Sequence, residues 1–301
     1  MNSASLEPVG MIGLGAMGEG IGRRILGAGR PLTVFVRSAQ AAVSWAGAGA
    51  DIAASPRLLA QAGSVVILSL PDDAAVDAVL EGPDGLAAGL RRAACVIDTS
   101  TVSPAGARRR AAMLAQQDVA YLDAPVSGGQ QGARDGTLVA MVGGDAAACE
   151  AARPLAALFC SAFTHVGGSG AGQVLKACNQ VAVAGALLGV AEALALAAAH
   201  GLDLAVAREV MLGGSARSFA LERHGRRLID ADFAPGFRAA LMHKDLRLAA
   251  EAADQAGVDL EAARLALQRL QALREAGQDG CDWSAIGRFD KPTKTERHLD
   301  S

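Results

Sequence analysis

The sequence predicts an α/β domain built on a parallel sheet, followed by an all-α domain. Three observations carry that reading. Short apolar runs alternate with helical stretches through the first half of the chain. The glycine cluster Gly167-Gly168-Ser169-Gly170-Ala171-Gly172 marks a change of texture. Beyond it, to about Gly277, the pattern is Ala- and Leu-rich and helical, with no convincing strand. At 301 residues, 51% hydrophobic and 20% charged, the chain can bury the core of one large domain or two ordinary ones, which excludes wholesale disorder. The expected domains are residues 1–167 and 168–289, with a charged and polar tail over 290–301 expected to be mobile.

Val9–Leu14, Leu32–Val36, Val65–Leu70, Cys95–Thr99 and Val119–Asp123 read as strands, each a short apolar run ended by Gly, Pro, Asp or Ser. Apolar runs without alternation suit strands buried on both faces. Met17–Ala28 reads as a helix: Met17, Ile21, Ile25 and Ala28 share one face, and Gly29 is a stop. Leu138–Val142 and Ala162–Val166 are later strand candidates, expected antiparallel at an edge. Gly201-Leu202-Asp203, Gly213-Gly214 and Gly257-Val258-Asp259 read as breaks between helices. Val181–Ala199 is the one membrane-like stretch, but Glu192 interrupts it and alanine is only weakly apolar. A helix buried within a protein, and no membrane partner, is the expectation.

A net charge of −3, from 28 basic and 31 acidic residues, gives no field-scale attraction to nucleic acid, and 3% aromatics provide few stacking platforms. Cys95, Cys149, Cys160, Cys178 and Cys281 are odd in number and form no CxxC pair. They read as reduced thiols of a cytoplasmic protein rather than a disulfide frame or zinc site. The polar Met1–Pro8 lacks the order of a secretory signal, in keeping with that location. His165, His200, His224 and His243 show no ligand spacing, so no metal is assigned.

Gly13-Leu14-Gly15-Ala16-Met17-Gly18 follows a predicted strand and opens a predicted helix, the context in which this glycine pattern binds a dinucleotide. Gly13 permits the tight turn, Gly15 lets a pyrophosphate approach the backbone, and Gly18 lets helix and strand pack closely. The helix N-terminus offers unpaired N–H groups and a positive dipole end to the phosphates. The N-terminal domain is therefore expected to be of the Rossmann type. About 20 residues past such a fingerprint an NAD enzyme places Asp or Glu. Here Arg37 and Ser38 stand in that place. A guanidinium grips a 2′-phosphate in bidentate fashion, and Ser38 can donate a further hydrogen bond. With no carboxylate to repel the phosphate, NADP is favoured, and NAD stays acceptable if Arg37 merely covers the adenine face.

Three further segments complete the pattern. Asp123-Ala124-Pro125-Val126-Ser127-Gly128-Gly129 follows a strand, Gly170-Ala171-Gly172-Gln173-Val174-Leu175-Lys176-Ala177-Cys178-Asn179-Gln180 lies at the domain junction, and Lys244-Asp245-Leu246 sits on a late helix. In this order and spacing, over almost the whole chain, the sequence resembles the β-hydroxyacid dehydrogenase family. Its members include 3-hydroxyisobutyrate dehydrogenase, tartronate semialdehyde reductase and the short glyoxylate/succinic semialdehyde reductases. The resemblance implies that Lys176 is the catalytic lysine, that Asn179 is its neighbouring active-site amide, and that Ser127, Gly128 and Gly129 cradle the substrate carboxylate. It further implies that Leu70, Pro71, Thr101 and Lys244 contact the cofactor. An active site between the domains, and a homodimer or homotetramer joined through the helical domain, are implied as well. Many relatives have two consecutive asparagines where this chain has Asn179-Gln180.

The chemistry gives these residues independent sense. A hydroxy acid oxidised by a nicotinamide loses a hydride to the ring, and the protein must supply a base for the hydroxyl proton. Lys176 suits that role if its amine is brought from about 10.4 toward neutrality. Asn179, three residues on, shares its helix face. The expected activity is NAD(P)-dependent, NADP-favouring hydride transfer with a small β-hydroxy acid or its semialdehyde. Two alternatives stand beside it: an imine reductase-like enzyme, against which Lys176 argues, and a non-catalytic NADP-binding module, against which the intact Lys176/Asn179 pair argues.

Overall fold

The computed structural model describes residues 7–289; the expectation for 290–301 lies outside them. The chain divides into two compact units, with the division after Lys176.

The first unit is a nine-stranded sheet with helices between its strands. Its strands are β1 (Val9–Ile12), β2 (Leu32–Phe35), β3 (Asp51–Ile52), β4 (Val65–Leu68), β5 (Cys95–Asp98), β6 (Ala120–Asp123), β7 (Val126–Ser127), β8 (Leu138–Gly143) and β9 (Cys160–Gly167). Its helices are α1 (Ala16–Gly27), α2 (Ala39–Gly47), α3 (Pro56–Ala62), α4 (Asp73–Glu81), α5 (Pro104–Ala115), α6 (Gly129–Asp135) and α7 (Ala146–Ala156). The order β3-β2-β1-β4-β5-β6 is parallel throughout, and the chain reverses its direction of travel between β1 and β4. Successive residues feed opposite faces of the sheet. Met11, Ile67 and Ile97 join a core with Ile21 and Ile25 of α1, while Ile12, Val66, Leu68 and Val96 join a second with Leu59 and Leu80. This two-sided burial is why the strands read as unbroken apolar runs.

The five predicted early strands form, but each of the first four stops one or two residues short. Gly13-Leu14, Val36, Ser69-Leu70 and Thr99 belong instead to the loops leaving the sheet. The later candidates need a correction. β8 runs antiparallel to β6 and β7, as expected, but β9 runs parallel to β8. The reason is α7, which makes the connection a crossover rather than a hairpin.

Side-chain caps open most of the helices. Ser38 caps α2, Ser55 caps α3, Asp72 caps α4, Ser103 caps α5 and Asp145 caps α7, each accepting from a backbone N–H of the first turn.

α8 (Ala171–Ala199) starts just past the glycine cluster and continues into the second unit. That unit adds α9 (Leu204–Leu212), a π-helical turn over Ala220–His224, α10 (Gly225–Asp230), α11 (Ala239–Ala256) and α12 (Glu261–Glu275). The predicted breaks at Gly201–Asp203, Gly213-Gly214 and Gly257–Asp259 all fall between helices. By length and composition α8 could cross a membrane. Its Ala184, Leu187, Leu188, Ala191 and Leu194 are nonetheless buried in the core of the second unit with Leu221, Leu246 and Trp283.

Candidate active site

In the first unit, five parallel strands end side by side. The register pairs Ile12 with Phe35 and Leu68, Leu68 with Asp98, and Asp98 with Asp123. The segments leaving these ends carry Arg37-Ser38, the Gly13–Gly18 turn, Leu70-Pro71 and Thr101, while Ser127 closes β7, on the far side of β8, and Gly129 opens α6. The first four are thus set at one end of the parallel strands, on either side of the point where strand order reverses. Open α/β sheets bind their ligands there.

The three glycines of the turn do different work. Gly13 has φ +92°, and a Cβ on it would overlap the Ser69 carbonyl. A Cβ on Gly18 would overlap the Gly13 carbonyl, so the helix can approach its strand only with glycine there. Around Gly15 a Cβ would meet no atom within 4 Å. Nothing in the fold of the described residues requires glycine at that position, which leaves room for a pyrophosphate against the backbone at the start of α1. Leu14 and Met17 are half-buried and Ala16 is exposed around this opening. These features fit a dinucleotide.

At the end of β2, Arg37 is exposed and makes no ion pair or hydrogen bond among the described residues. Ser38 Oγ accepts from Ala41 N at 3.2 Å, which leaves its O–H to donate elsewhere. Leu70 is held through its N–H, which donates to Ser100 Oγ at 2.8 Å. Ser127 pairs with Val139 at the end of β7, and Gly128 (φ +129°) and Gly129 (φ +65°) follow in backbone conformations that favour glycine.

Lys176 is buried, at 6% exposure, on the second turn of α8. The first turn of that helix is tied to the sheet by residues the sequence did not single out. Asp123, at the end of β6, accepts from Gly170 N at 2.7 Å and from Gln173 N at 3.0 Å, acting as a cap supplied from another element. Burial pushes its carboxyl up to about 6, against those same hydrogen bonds. The Gln173 side chain donates to the Ser100 carbonyl at 2.9 Å and accepts from Val102 N at 3.1 Å, so its amide brackets Thr101. Gln173 and Lys176 lie three residues apart on one helix face. Beneath this loop, Asp98 accepts from Tyr121 Oη at 2.6 Å and Ser100 N at 2.9 Å, and burial raises both the Asp98 and the Tyr121 pKa. The signal for Asp98 and Asp123 in the sequence was an acid closing an apolar run; Gln173 offered none.

In the second unit, Asn179 and Lys244 belong to one chain of contacts. Asn179 Nδ2 donates to Gln180 Oε1 at 2.9 Å, and Gln180 Nε2 donates to Asp245 Oδ2 at 2.7 Å. Asp245 Oδ1 in turn lies 3.3 Å from Lys244 Nζ. No group of three or more His, Cys, Asp or Glu side chains able to hold a metal ion occurs among the described residues.

Comparison with known proteins gives this geometry its context. Residues 8–167 match the model of the NAD binding domain of 6-phosphogluconate dehydrogenase. Residues 170–289 match that of the NAD-binding domain of NADP-dependent 3-hydroxyisobutyrate dehydrogenase. The NAD-dependent L-serine dehydrogenase of Pseudomonas aeruginosa is 38% identical over 96% of this chain and 99% of its own. The 2-hydroxy-3-oxopropionate reductase of Escherichia coli is 38% identical over 84% of this chain and 86% of its own. Among solved structures, Psf3 in complex with NADP+ and 2-OPP superposes with a TM-score of 0.85 at 32% identity, covering 93% of this chain and 98% of that one. With both family models matched end to end along the sheet and helical units, the chain belongs to the β-hydroxyacid dehydrogenase family of NAD(P)-dependent oxidoreductases acting on hydroxy acids.

Proposed function

We propose that this protein transfers hydride between NADP, in preference to NAD, and a small β-hydroxy acid or its semialdehyde, with Lys176 exchanging the hydroxyl proton. The observation that carries the reading is the position of Lys176. It is buried one turn beyond Gln173, whose amide holds the Thr101 loop in the same row of strand ends as the fingerprint turn. When bound, the nicotinamide supplies or accepts the hydride. Lys176 takes the hydroxyl proton in oxidation and returns it in reduction. Asn179, on the same helix face, orients the substrate. The Ser127 hydroxyl and the N–H groups of Gly128 and Gly129 hold its carboxylate. Leu70, Pro71, Thr101 and Lys244 border the cofactor.

Relatives differ in cofactor: one is named as NAD-dependent, while a solved neighbour holds NADP+. The end of β2 therefore decides. Exposed Arg37 supplies two donors to a 2′-phosphate, Ser38 a third, and the positive end of α2 lies at the same place. Arg37→Asp is expected to reverse the preference, measured as kcat/KM with each cofactor; a variant still favouring NADP overturns the assignment. Lys176→Ala is expected to keep NADPH binding and lose about 10²–10⁴-fold in kcat on a panel of 3-hydroxyisobutyrate, glycerate, threonate, serine, glyoxylate and succinic semialdehyde. Unchanged turnover eliminates Lys176 as the base.

A further inference from the structure

The loops after β4 and β5 are fastened to each other at both ends. At the near end Leu70 N donates to Ser100 Oγ at 2.8 Å. Ser100 is buried and held from below by Asp98, which accepts from its N–H at 2.9 Å. At the far end the Asp73 carboxylate accepts from Ser103 N at 2.9 Å and from Ser103 Oγ at 3.0 Å. Each tie spans 30 residues of chain, so neither belongs to a local turn. Arg110, fully buried, fixes Asp73 by donating to its Oδ1 at 2.8 Å and to its carbonyl at 3.0 Å. A Cβ on Gly106 would overlap Asp73 Oδ1, so α5 admits the carboxylate only with glycine in its first turn. Between the two ties stand Pro71, which is exposed, and Thr101, which is half-buried.

We infer that Ser100 and Asp73 are positioning residues that join the two loops into one preformed frame, and that this frame serves the nicotinamide half of the cofactor and not the adenine half. This rests on the reading that Leu70, Pro71 and Thr101 border the cofactor. A doubly wound sheet holds one mononucleotide on each of its halves. The fingerprint turn and Arg37 leave β1 and β2, which gives that half the adenine side of the dinucleotide. β4 and β5, across the point of reversal, are left with the nicotinamide side. Neither Ser100 nor the Asp73 carboxylate has to touch the ring. Their hydrogen bonds are taken up within the frame, so they act by removing loop freedom before the cofactor arrives. An untied loop must be ordered as the cofactor binds, and that lowers affinity.

The test compares NADPH with adenosine 2′,5′-bisphosphate, which carries the adenine half of the cofactor alone, by calorimetric titration of the full-length protein. Ser100→Ala removes the acceptor for Leu70 N. Asp73→Asn turns an NH2 toward Ser103 N, while its remaining oxygen can still accept from Arg110. Each variant is expected to bind NADPH about tenfold weaker, the scale of one hydrogen bond, and to bind adenosine 2′,5′-bisphosphate as the wild type does. The double variant should lose less than the product of the two single losses, because a frame opened at one end gains little from its other tie. Ser100→Ala carries the test if Asp73→Asn does not fold. Equal weakening of both ligands, in step with the melting temperature, would reduce the ties to stability alone. Unchanged NADPH affinity would detach the loops from the cofactor, and losses that simply multiply would split the frame into two separate loops. Each of these overturns the inference. A wild type that binds NADH and not NADPH defeats only the cofactor preference proposed above, and the same comparison then runs with NADH against AMP. A wild type that binds neither dinucleotide defeats the parent reading and takes the inference with it.

Discussion

His224 lies in the π-helical turn of the second unit, edge-on to Trp283 at 5.0 Å and to Phe219 at 6.1 Å, and its Nδ1 has no hydrogen-bond partner among the described residues. Burial pulls its pKa down to about 4. Asp282 opposes that fall, while Arg223 and Arg227 add to it. A base with a lowered folded pKa holds fewer protons folded than unfolded between about 4 and 6.5. Its stabilising contribution is therefore complete above pH 6.5 and is lost as the pH falls toward 4; a shift of this size is worth up to about 3 kcal/mol. Neighbouring Asp282 acts at lower pH. Burial raises its pKa, but hydrogen bonds from Ser284 and Phe237 N, with the charge of Arg227, hold it below the usual carboxylate range. Its contribution is lost only as the pH drops through that depressed value. In urea unfolding at pH 7.5 and pH 5, the wild type should lose stability on acidification, and His224→Phe, which keeps an aromatic ring between its neighbours, should lose much less. Parallel losses in the two proteins would show that His224 stays neutral in neither state or charges equally in both.

The turn joining β1 to α1 separates folding from binding within six residues. A Cβ on Gly18 would overlap the Gly13 carbonyl, whereas one on Gly15 would meet nothing. Gly18→Ala is accordingly expected to lower the melting temperature and NADPH affinity together, since helix and strand must move apart. Gly15→Ala should melt like the wild type and bind NADPH about tenfold or more weaker, because its methyl stands where the pyrophosphate approaches. Calorimetry and fluorescence titration check both, and a Gly15→Ala protein of unchanged affinity would remove the phosphate from this turn. The turn was legible in the sequence because three glycines at fixed offsets between an apolar run and an amphipathic helix report local backbone needs. β3 and β7 were not, being two residues each and too short for any periodicity. The ties holding Lys176 were also illegible. Asp123 reaches Gly170 and Gln173 across 47 and 50 residues, and Gln173 reaches Ser100 across 73. Such pairings follow from strand order, which local pattern does not encode. The Asn179–Gln180–Asp245 chain was half visible: its members stood in motifs, but the direction of their hydrogen bonds needed the packing of α8 with α11.

At the scale of the whole molecule, the alternation of strand and helix was enough to give the sheet-then-helices plan, because each half buries its own core. Exposed large apolar side chains occur in both units, Val43 of the first among them, and several fall close together in sequence in the helical unit. Leu196, Leu202, Val206, Val210 and Phe219 are 58–71% exposed, and Val206 and Val210 are one turn apart on α9. With a net charge of only −3, a single chain has little electrostatic repulsion to keep such side chains apart in solution. Closed self-association through a symmetric contact is the economical way to cover them. The protein is therefore expected to be a dimer or tetramer of its 30.4 kDa chain by light scattering. Val206→Glu combined with Val210→Glu, on a helix with no buried residue of its own, should lower that mass without unfolding the chain by circular dichroism. A wild type that elutes as one chain at working concentration would dismiss the oligomer, and an intact oligomer in the double variant would move its interface away from α9.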